Sequence, residues 1–573
     1  MDTLFGIQTS TLRRNILLVV ISMLVPAFGI TSPAQAAQRV YASYSALERS
    51  ISVAALEEYV KTGVLDESLA VYTRYLNPGQ LQELRRVLQS PIKVNAVAVS
   101  QFLYTPQGEF LLQRLGEVIK SESRQEKPGF HALRSALILA SAEPGGLTLL
   151  NLLREYPSPS IHIDLARTLG IAAELEKLTS ETEKALAAVS QKAKTEAATA
   201  QPTLSLAQLP DFRRKGKYVA KKQSYKLLDA VRNRFLLTDV YIPNAQGKLP
   251  VVVISHGVGS DSSNFEYLAS HLASHGFAVI VPNHPGSDTK QLRSLMNGSA
   301  NEVAEPGEFY NRPLDIKFVL DELEKRNKTE HQGRLNLEQV GIFGQSFGAY
   351  TGLALAGAEI NFAQLEKDCK PNTLKDTWNI SLLLQCRALD LRAKNPFKNY
   401  NLRDERIKAV IAVNPITSSI FGETGLNNLK VPVMIVASSD DTVAPALYEQ
   451  ILPFSWIGNQ QKYLAILQGA THFSAIGDGK SSADQIGLPS SIAGDDPAQA
   501  RKYLDSLSLP FFQAYVAGMT KYTPYLNAAY AKAISSQPLS LNLIQSLTST
   551  ELAQAFKGES KEEKAPEEPK KQP

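Results

Sequence analysis

The spacing of apolar residues changes between the first and second parts of the chain. Between residues 41 and 178, apolar side chains recur every three or four positions, which predicts helices. Capping residues support this prediction, since Ser52 precedes one apolar stripe and Asn77-Pro78 precedes another. This part contains no cluster of histidine, cysteine and carboxylate side chains. We therefore predict an all-helical domain over residues 38–178, with no reactive site of its own.

A different pattern follows residues 179–209, whose Ala, Lys, Glu and Thr content predicts a helix that continues into a linker. Alternating apolar and polar residues over 216–243 predict two antiparallel strands. Farther on, short apolar runs alternate with helical stripes, which is typical of a mostly parallel sheet covered by helices on both faces. We place this α/β domain at residues 210–540. The long insertion at 358–404 is interpreted either as a lid or as a packed surface excursion.

The segment Gly344-Gln345-Ser346-Phe347-Gly348 lies between an apolar strand-like run and a helical run. A strand, Gly-x-Ser-x-Gly and a helix in this order are typical of a nucleophile elbow. The glycines allow the strand and helix to approach closely, so that the serine hydroxyl stands above the sheet edge. The alternative is an ordinary Gly/Ser turn. The pattern predicts that Ser346 is a nucleophile.

A serine nucleophile needs a base, and an acid that orients the base. In this type of fold the chain order is serine, acid, histidine. His472 is the only one of the eight histidines that follows Ser346, and it lies just past an apolar strand-like run. The order and position together make His472 the candidate base.

Two adjacent carboxylates, Asp440 and Asp441, follow the apolar strand-like run at 431–436. Asp441 stands four residues before Pro445, a spacing associated with the acid in this fold. We therefore predict Asp441 as the acid and interpret Asp440 as a carboxylate that caps the loop.

Two backbone N–H groups are expected to bind the oxyanion of a tetrahedral intermediate. The first is that of Phe347, directly after the candidate nucleophile, and the second is that of Val258, in the loop after the strand at 250–254. His256 precedes the serine in the chain, so we interpret it as a residue that shapes this loop.

Four segments together resemble platelet-activating-factor acetylhydrolases and their bacterial relatives: Ser255-His256-Gly257-Val258-Gly259, residues 268–277, the Asn311–Ile316 run and the Gly344–Gly348 motif. The resemblance spans roughly residues 210–535. It implies an α/β-hydrolase fold, no metal or other cofactor, and hydrolysis of carboxylic esters, often with short or oxidised acyl chains on lipids. Gln345 departs from the family, which often has histidine there. Residues 38–165 resemble a helical domain of unassigned function that precedes such hydrolases in some bacteria.

That resemblance assigns the triad to Ser346, Asp441 and His472, and the oxyanion donors to Val258 and Phe347. We therefore expect a secreted carboxylesterase or lipase that forms an acyl-enzyme with a small-molecule or lipid ester and touches membrane surfaces transiently. Two alternatives stay open: a serine peptidase with the same fold, and a binding protein that uses a hydrolase scaffold without catalysis.

Charge and cysteine content restrict the remaining options. The 573 residues include 60 basic and 56 acidic side chains, and this near balance argues against a nucleic-acid partner. The two cysteines, Cys369 and Cys386, are expected to form a disulfide if the chain is exported, and to be buried thiols otherwise. The charged, proline-containing tail at 557–573 is expected to be disordered.

Residues 1–36 have the features of a secretory signal. Arg13 and Arg14 precede an apolar stretch, and Ala34-Gln35-Ala36 forms a small-x-small cleavage site. The apolar stretch is shorter than the ~20 residues that span a bilayer, although an uncleaved anchor is the alternative. We expect cleavage near Ala36 and a periplasmic or extracellular location, with the Sec and Tat export routes both open.

Overall fold

The computed structural model describes most of the chain, with gaps between the described segments. The described residues are 37–44, 47–71, 77–92, 96–121, 129–199, 210–375, 377–394, 400–477 and 497–557. The predicted signal peptide, residues 200–209 of the predicted helix and linker, and nearly all of the predicted tail lie outside these residues. Within them, no helix is long and apolar enough to cross a membrane.

The N-terminal part combines helices with a small sheet, so the prediction of an all-helical domain is wrong. The strands are β1 (Arg39–Tyr44), β2 (Leu47–Ser52), β3 (Ile119–Lys120) and β4 (Ser160–Asp164). They form one four-stranded sheet in the order β2-β1-β4-β3. Strand β1 pairs in parallel with β4, which starts more than a hundred residues later. This mixed sheet therefore depends on contacts between distant parts of the chain.

Eight helices are described in this part. They are α1 (Val53–Thr62), α2 (Glu67–Ala70), α3 (Pro78–Gln89), α4 (Ala96–Leu103), α5 (Pro106–Val118), α6 (Phe130–Ala142), α7 (Leu149–Arg154) and α8 (Leu165–Thr199). Ser52 and Asn77 cap α1 and α3, as their positions predicted. Helix α8 runs without a break through the expected domain boundary at residue 178.

A nine-stranded sheet organises the second part. Its further strands are β5 (Ala220–Asp229), β6 (Arg234–Pro243), β7 (Leu249–Ser255), β8 (Ala278–Pro282), β9 (Leu335–Gln345), β10 (Ile407–Val413), β11 (Val433–Ser438), β12 (Lys462–Gln468) and β13 (Ser540–Ile544). The order is β13-β12-β11-β10-β9-β7-β8-β6-β5. The six strands from β12 to β8 in this order are mutually parallel, and antiparallel strands flank them. Their carboxyl ends therefore share one edge of the sheet.

Helices cover both faces of this sheet, as expected for a parallel core. The helices are α9 (Glu266–Ser274), α10 (Thr289–Met296), α11 (Glu308–Glu330), α12 (Phe347–Leu355), α13 (Phe362–Asp368), α14 (Pro371–Lys375), α15 (Ile380–Cys386), α16 (Leu389–Lys394), α17 (Gly422–Asn427), α18 (Leu452–Trp456), α19 (Pro497–Tyr515), α20 (Ala528–Ile534) and α21 (Ser549–Lys557). Helices α11 and α12 bury apolar residues against one face, and α9 and α19 against the other.

The insertion at 358–404 contributes α13 to α16, and a disulfide joins Cys369 to Cys386 within it. It also contacts the N-terminal part. The guanidinium of Arg114 lies 4.3 Å from the ring centre of Trp378, and Glu174 accepts hydrogen bonds from both side chains. The insertion is thus packed between the sheet domain and the N-terminal helices.

Candidate active site

Ser346 stands at a strained turn between β9 and α12. Its backbone has φ 54° and ψ −117°, a conformation that costs energy for any residue other than glycine. A Cβ atom on Gly344 would overlap the carbonyl of Gly348, and one on Gly348 would overlap the carbonyl of Ser255. Both glycines are therefore needed for the tight passage from strand to helix. The turn has the geometry expected of a nucleophile elbow.

The structure brings Ser346, His472 and Asp441 together at the carboxyl edge of the sheet. The hydroxyl oxygen of Ser346 lies 3.0 Å from Nε2 of His472. Nδ1 of the same ring lies 2.6 Å from Oδ2 of Asp441. The serine is 9% exposed, the histidine 4% and the aspartate 6%, so the three groups are largely shielded from water. This chain of contacts can move a proton from the hydroxyl to the imidazole.

The two adjacent aspartates have different surroundings. Oδ1 of Asp441 accepts hydrogen bonds from the backbone N–H groups of Val443 and Ala444, at 2.9 and 2.7 Å. These two donors hold the carboxylate so that its other oxygen faces the imidazole. The side chain of Asp440 is exposed and accepts a hydrogen bond from the hydroxyl of Ser439. Only Asp441 therefore contacts His472.

Two buried amides hold the backbone of the histidine loop. The side-chain NH₂ groups of Gln345 and Asn414 each donate to the carbonyl of His472, both at 3.2 Å. Asn414 also exchanges hydrogen bonds with Ser438, at the end of β11. Neither contact was predicted from the sequence. Asn414 comes directly after β10, at the same sheet edge as the other residues of the site. This position is a sequence signal that could have identified it as part of the site.

Residues 256–259, here the His256 loop, lie against the elbow. A Cβ on Gly257 would come within 3.3 Å of the Cβ of Ser346. Within the described residues, the N–H groups of Val258 and Phe347 donate to no other protein group. They are therefore available to an oxygen bound beside the serine.

The imidazole of His256 is part of the loop's internal bonding. Its Nε2 accepts from the N–H of His284 at 3.0 Å, and its Nδ1–H donates to the carbonyl of Gly257 at 2.7 Å. Burial, followed by the charge of Arg312, holds the pKa of His256 well below its usual value. The ring is neutral and fully engaged, in line with a residue that shapes the loop.

Two family models match parts of this chain. A model described as "alpha/beta hydrolase fold" matches residues 250–361, which include β7, the His256 loop and the elbow. A model described as "Alpha/beta hydrolase of unknown function (DUF1400)" matches residues 36–164. The chain has the α/β-hydrolase fold. Neither model is specific to platelet-activating-factor acetylhydrolases, and no curated protein matches the chain.

The α/β-hydrolase domain contains a second, fully buried alignment of serine, histidine and aspartate. The hydroxyl of Ser255 lies 3.0 Å from Nε2 of His284, whose Nδ1 lies 3.1 Å from Oδ2 of Asp315. All three residues are fully buried, so a substrate cannot reach this serine. Arg232 and Arg234 also form ion pairs with this aspartate. We interpret this alignment as internal support for the end of β7.

Among the described residues, no group of three or more histidine, cysteine, aspartate and glutamate side chains could hold a metal ion.

Proposed function

We propose that this protein is an exported serine ester hydrolase that acts through Ser346, His472 and Asp441. The observation that carries the proposal is the continuous hydrogen-bonded chain from the serine hydroxyl through the imidazole to a carboxylate oriented by two backbone donors. The fold is consistent with hydrolase activity, and Ser346 lies at the strand-to-helix turn that carries the nucleophile in hydrolases of this fold, which supports the proposal.

In the proposed reaction, Oγ of Ser346 attacks the ester carbonyl carbon while Nε2 of His472 takes the hydroxyl proton. Asp441 holds the Nδ1–H tautomer and stabilises the imidazolium. The carbonyl oxygen becomes an oxyanion that the N–H groups of Val258 and Phe347 bind. Each of these donors is expected to stabilise the transition state by ~3 kcal/mol. The carbon–oxygen bond to the alcohol then breaks, and His472 protonates the departing alkoxide.

Hydrolysis of the acyl-enzyme repeats these steps with water. His472 takes a proton from the attacking water, and a second tetrahedral intermediate forms at the same two amides. The bond to Oγ of Ser346 breaks, the serine recovers its proton and the carboxylic acid leaves. We propose small-molecule or lipid esters as substrates, and a lipid substrate would require transient contact with a membrane or micelle surface.

The decisive experiment is labelling with a fluorophosphonate probe, followed by assays with p-nitrophenyl esters of increasing acyl length. The wild-type protein is expected to be labelled and active, and Ser346→Ala to lose both properties while keeping its fold. Ser255→Ala is the matched control, because it removes the serine of the buried alignment and should leave labelling intact. Full activity in Ser346→Ala would end the proposal. Faster cleavage of matched anilides than of esters would instead favour a peptidase.

Export is a separate part of this proposal. The disulfide between Cys369 and Cys386 supports it, because disulfides persist mainly in oxidising compartments. N-terminal sequencing of the mature protein from its native host is expected to begin at Ala37. A mature chain that starts at Met1 would contradict cleavage.

A further inference from the structure

Arg312, on α11, is a fully buried arginine beside the candidate active site. Its Nη2 donates a hydrogen bond to the carbonyl of His256. Its Nε and Nη1 have no hydrogen-bond partner among the described residues. The one hydrogen bond described for this side chain therefore goes to the His256 loop.

The same guanidinium contacts the other side of the elbow. Its central carbon lies 4.7 Å from the ring centre of Phe347, close enough for a cation–π interaction. His256 precedes Gly257-Val258, and the backbone N–H of Phe347 directly follows Ser346. One buried side chain thus touches both segments that carry the two proposed oxyanion donors.

The charge of Arg312 has no direct carboxylate partner among the described residues. The carboxylates of Glu308 and Asp315 attract this charge from nearby, but their direct ion pairs are with Arg234, at 2.7 and 2.8 Å, and Asp315 also pairs with Arg232. Burial lowers the pKa of Arg312 to about 10, so the group remains protonated at neutral pH. A buried cation without a paired anion is unfavourable for folding, and an apolar side chain of similar size would avoid that cost. Stability alone therefore does not explain an arginine at this position.

We propose that Arg312 is a positioning residue that sets the two oxyanion-binding amides and adds positive potential where the oxyanion forms. The hydrogen bond to His256 fixes the loop that carries Val258, and the contact with the Phe347 ring fixes the start of α12. This inference rests on the proposed function, because it assigns Arg312 a role in the same acyl transfer.

Arg312→Met and Arg312→Lys test the proposal with a p-nitrophenyl ester and a trifluoromethyl ketone, which forms a hemiketal oxyanion on the serine. Arg312→Met is expected to lower kcat by ~10²-fold, the usual cost of a misplaced catalytic group, with KM changed less than about threefold. The inhibition constant of the ketone should rise by a similar factor. Arg312→Lys keeps the charge and is expected to recover about tenfold of the lost kcat.

Arg406→Met is the matched control, because that arginine pairs with Asp404 and Asp321 near the start of β10, at the opposite edge of the sheet. It should leave kcat and ketone binding at wild-type values. Wild-type kcat and ketone binding in folded Arg312→Met would overturn the inference. If Arg312→Met does not fold, Arg312→Lys decides alone: a tenfold lower kcat at unchanged KM supports the role, and wild-type kinetics reject it.

Failure of this inference is distinguishable from failure of the proposed function. An active wild-type protein, an inactive Ser346→Ala and a fully active Arg312→Met would reject only the role of Arg312. A wild-type protein that neither hydrolyses esters nor reacts with the fluorophosphonate would reject the proposed function itself.

Discussion

Replacing Asp441 with asparagine exchanges one carboxylate oxygen for an NH₂ group, and its effect on kcat can be estimated from the structure. In the wild-type structure, Oδ1 accepts from the N–H groups of Val443 and Ala444, and Oδ2 faces Nδ1 of His472. The asparagine oxygen must take the Oδ1 place, because the two N–H groups there can only donate. Its NH₂ group then faces Nδ1, which has to be unprotonated to accept from it.

This arrangement places the imidazole proton on Nε2, where it faces the hydroxyl of Ser346. The nitrogen that should take the serine proton is then already protonated. An Asp-to-Asn change of this kind lowers kcat by ~10⁴-fold in a serine protease triad. Since each tenfold step corresponds to about 1.4 kcal/mol, we expect the barrier to rise by about 5 kcal/mol in Asp441→Asn.

The assay is the steady-state hydrolysis of p-nitrophenyl acetate, with circular dichroism and thermal melting as checks on folding. Asp440→Asn is the matched control, because that side chain is exposed and bonded to Ser439. Its kcat should stay within about twofold of wild type. The assignment of the acid would be refuted if folded Asp441→Asn kept more than about a tenth of the wild-type kcat. It would also be refuted if Asp440→Asn lowered kcat by as large a factor as Asp441→Asn.

Three further predictions concern stability. Glu449→Gln is expected to lower the free energy of unfolding, measured in urea, by about 3–5 kcal/mol, because the buried carboxylate accepts hydrogen bonds from side chains of the insertion and from two backbone N–H groups. The control is Glu366→Gln at an exposed position, which should lower it by less than ~0.5 kcal/mol. Burial raises the pKa of Asp505 to about 8, above its unfolded value, so the contribution of this group to stability should fall as pH rises from 4 to 8. The melting temperature of Asp505→Asn should therefore rise relative to that of the wild type over this range, and parallel curves would contradict the prediction. Replacing Cys369 and Cys386 by serine opens a crosslink with a sequence separation of 17 and should cost ~3 kcal/mol, whereas no change would show that the insertion folds without it.

Much of the candidate site was predictable because its signals are local or ordered along the chain. The elbow is a contiguous motif, and Gly344 is required by its close approach to Gly348 within that motif, although Gly348 is required by its approach to Ser255 at the end of β7. His472 followed from chain order, since it was the only histidine after the serine. The alternation of strands and helices likewise predicted the large sheet, whose central strands are buried on both faces.

The choice between the two aspartates depended on side-chain direction. Spacing to Pro445 favoured Asp441, but spacing alone does not show which carboxylate turns toward the imidazole. The backbone N–H groups two and three residues later decide this by binding Oδ1 of Asp441.

The N-terminal sheet was missed for another physical reason. Its strands have at most six residues, and β1 acquires a parallel partner only when residues 160–164 fold back beside it. Such short segments carry little periodicity, so helical stripes dominated the pattern.

Local chemistry along the chain was sufficient for the hydrolase sheet, the elbow serine and the order of its partners, because each is encoded by neighbouring residues or by sequence order. Tertiary packing alone decided that Gln345 and Asn414 hold the carbonyl of His472, and that Arg312 lies between the His256 loop and Phe347. These contacts join residues tens to more than a hundred positions apart. Their energies depend on burial and direction, which no local pattern of residues specifies.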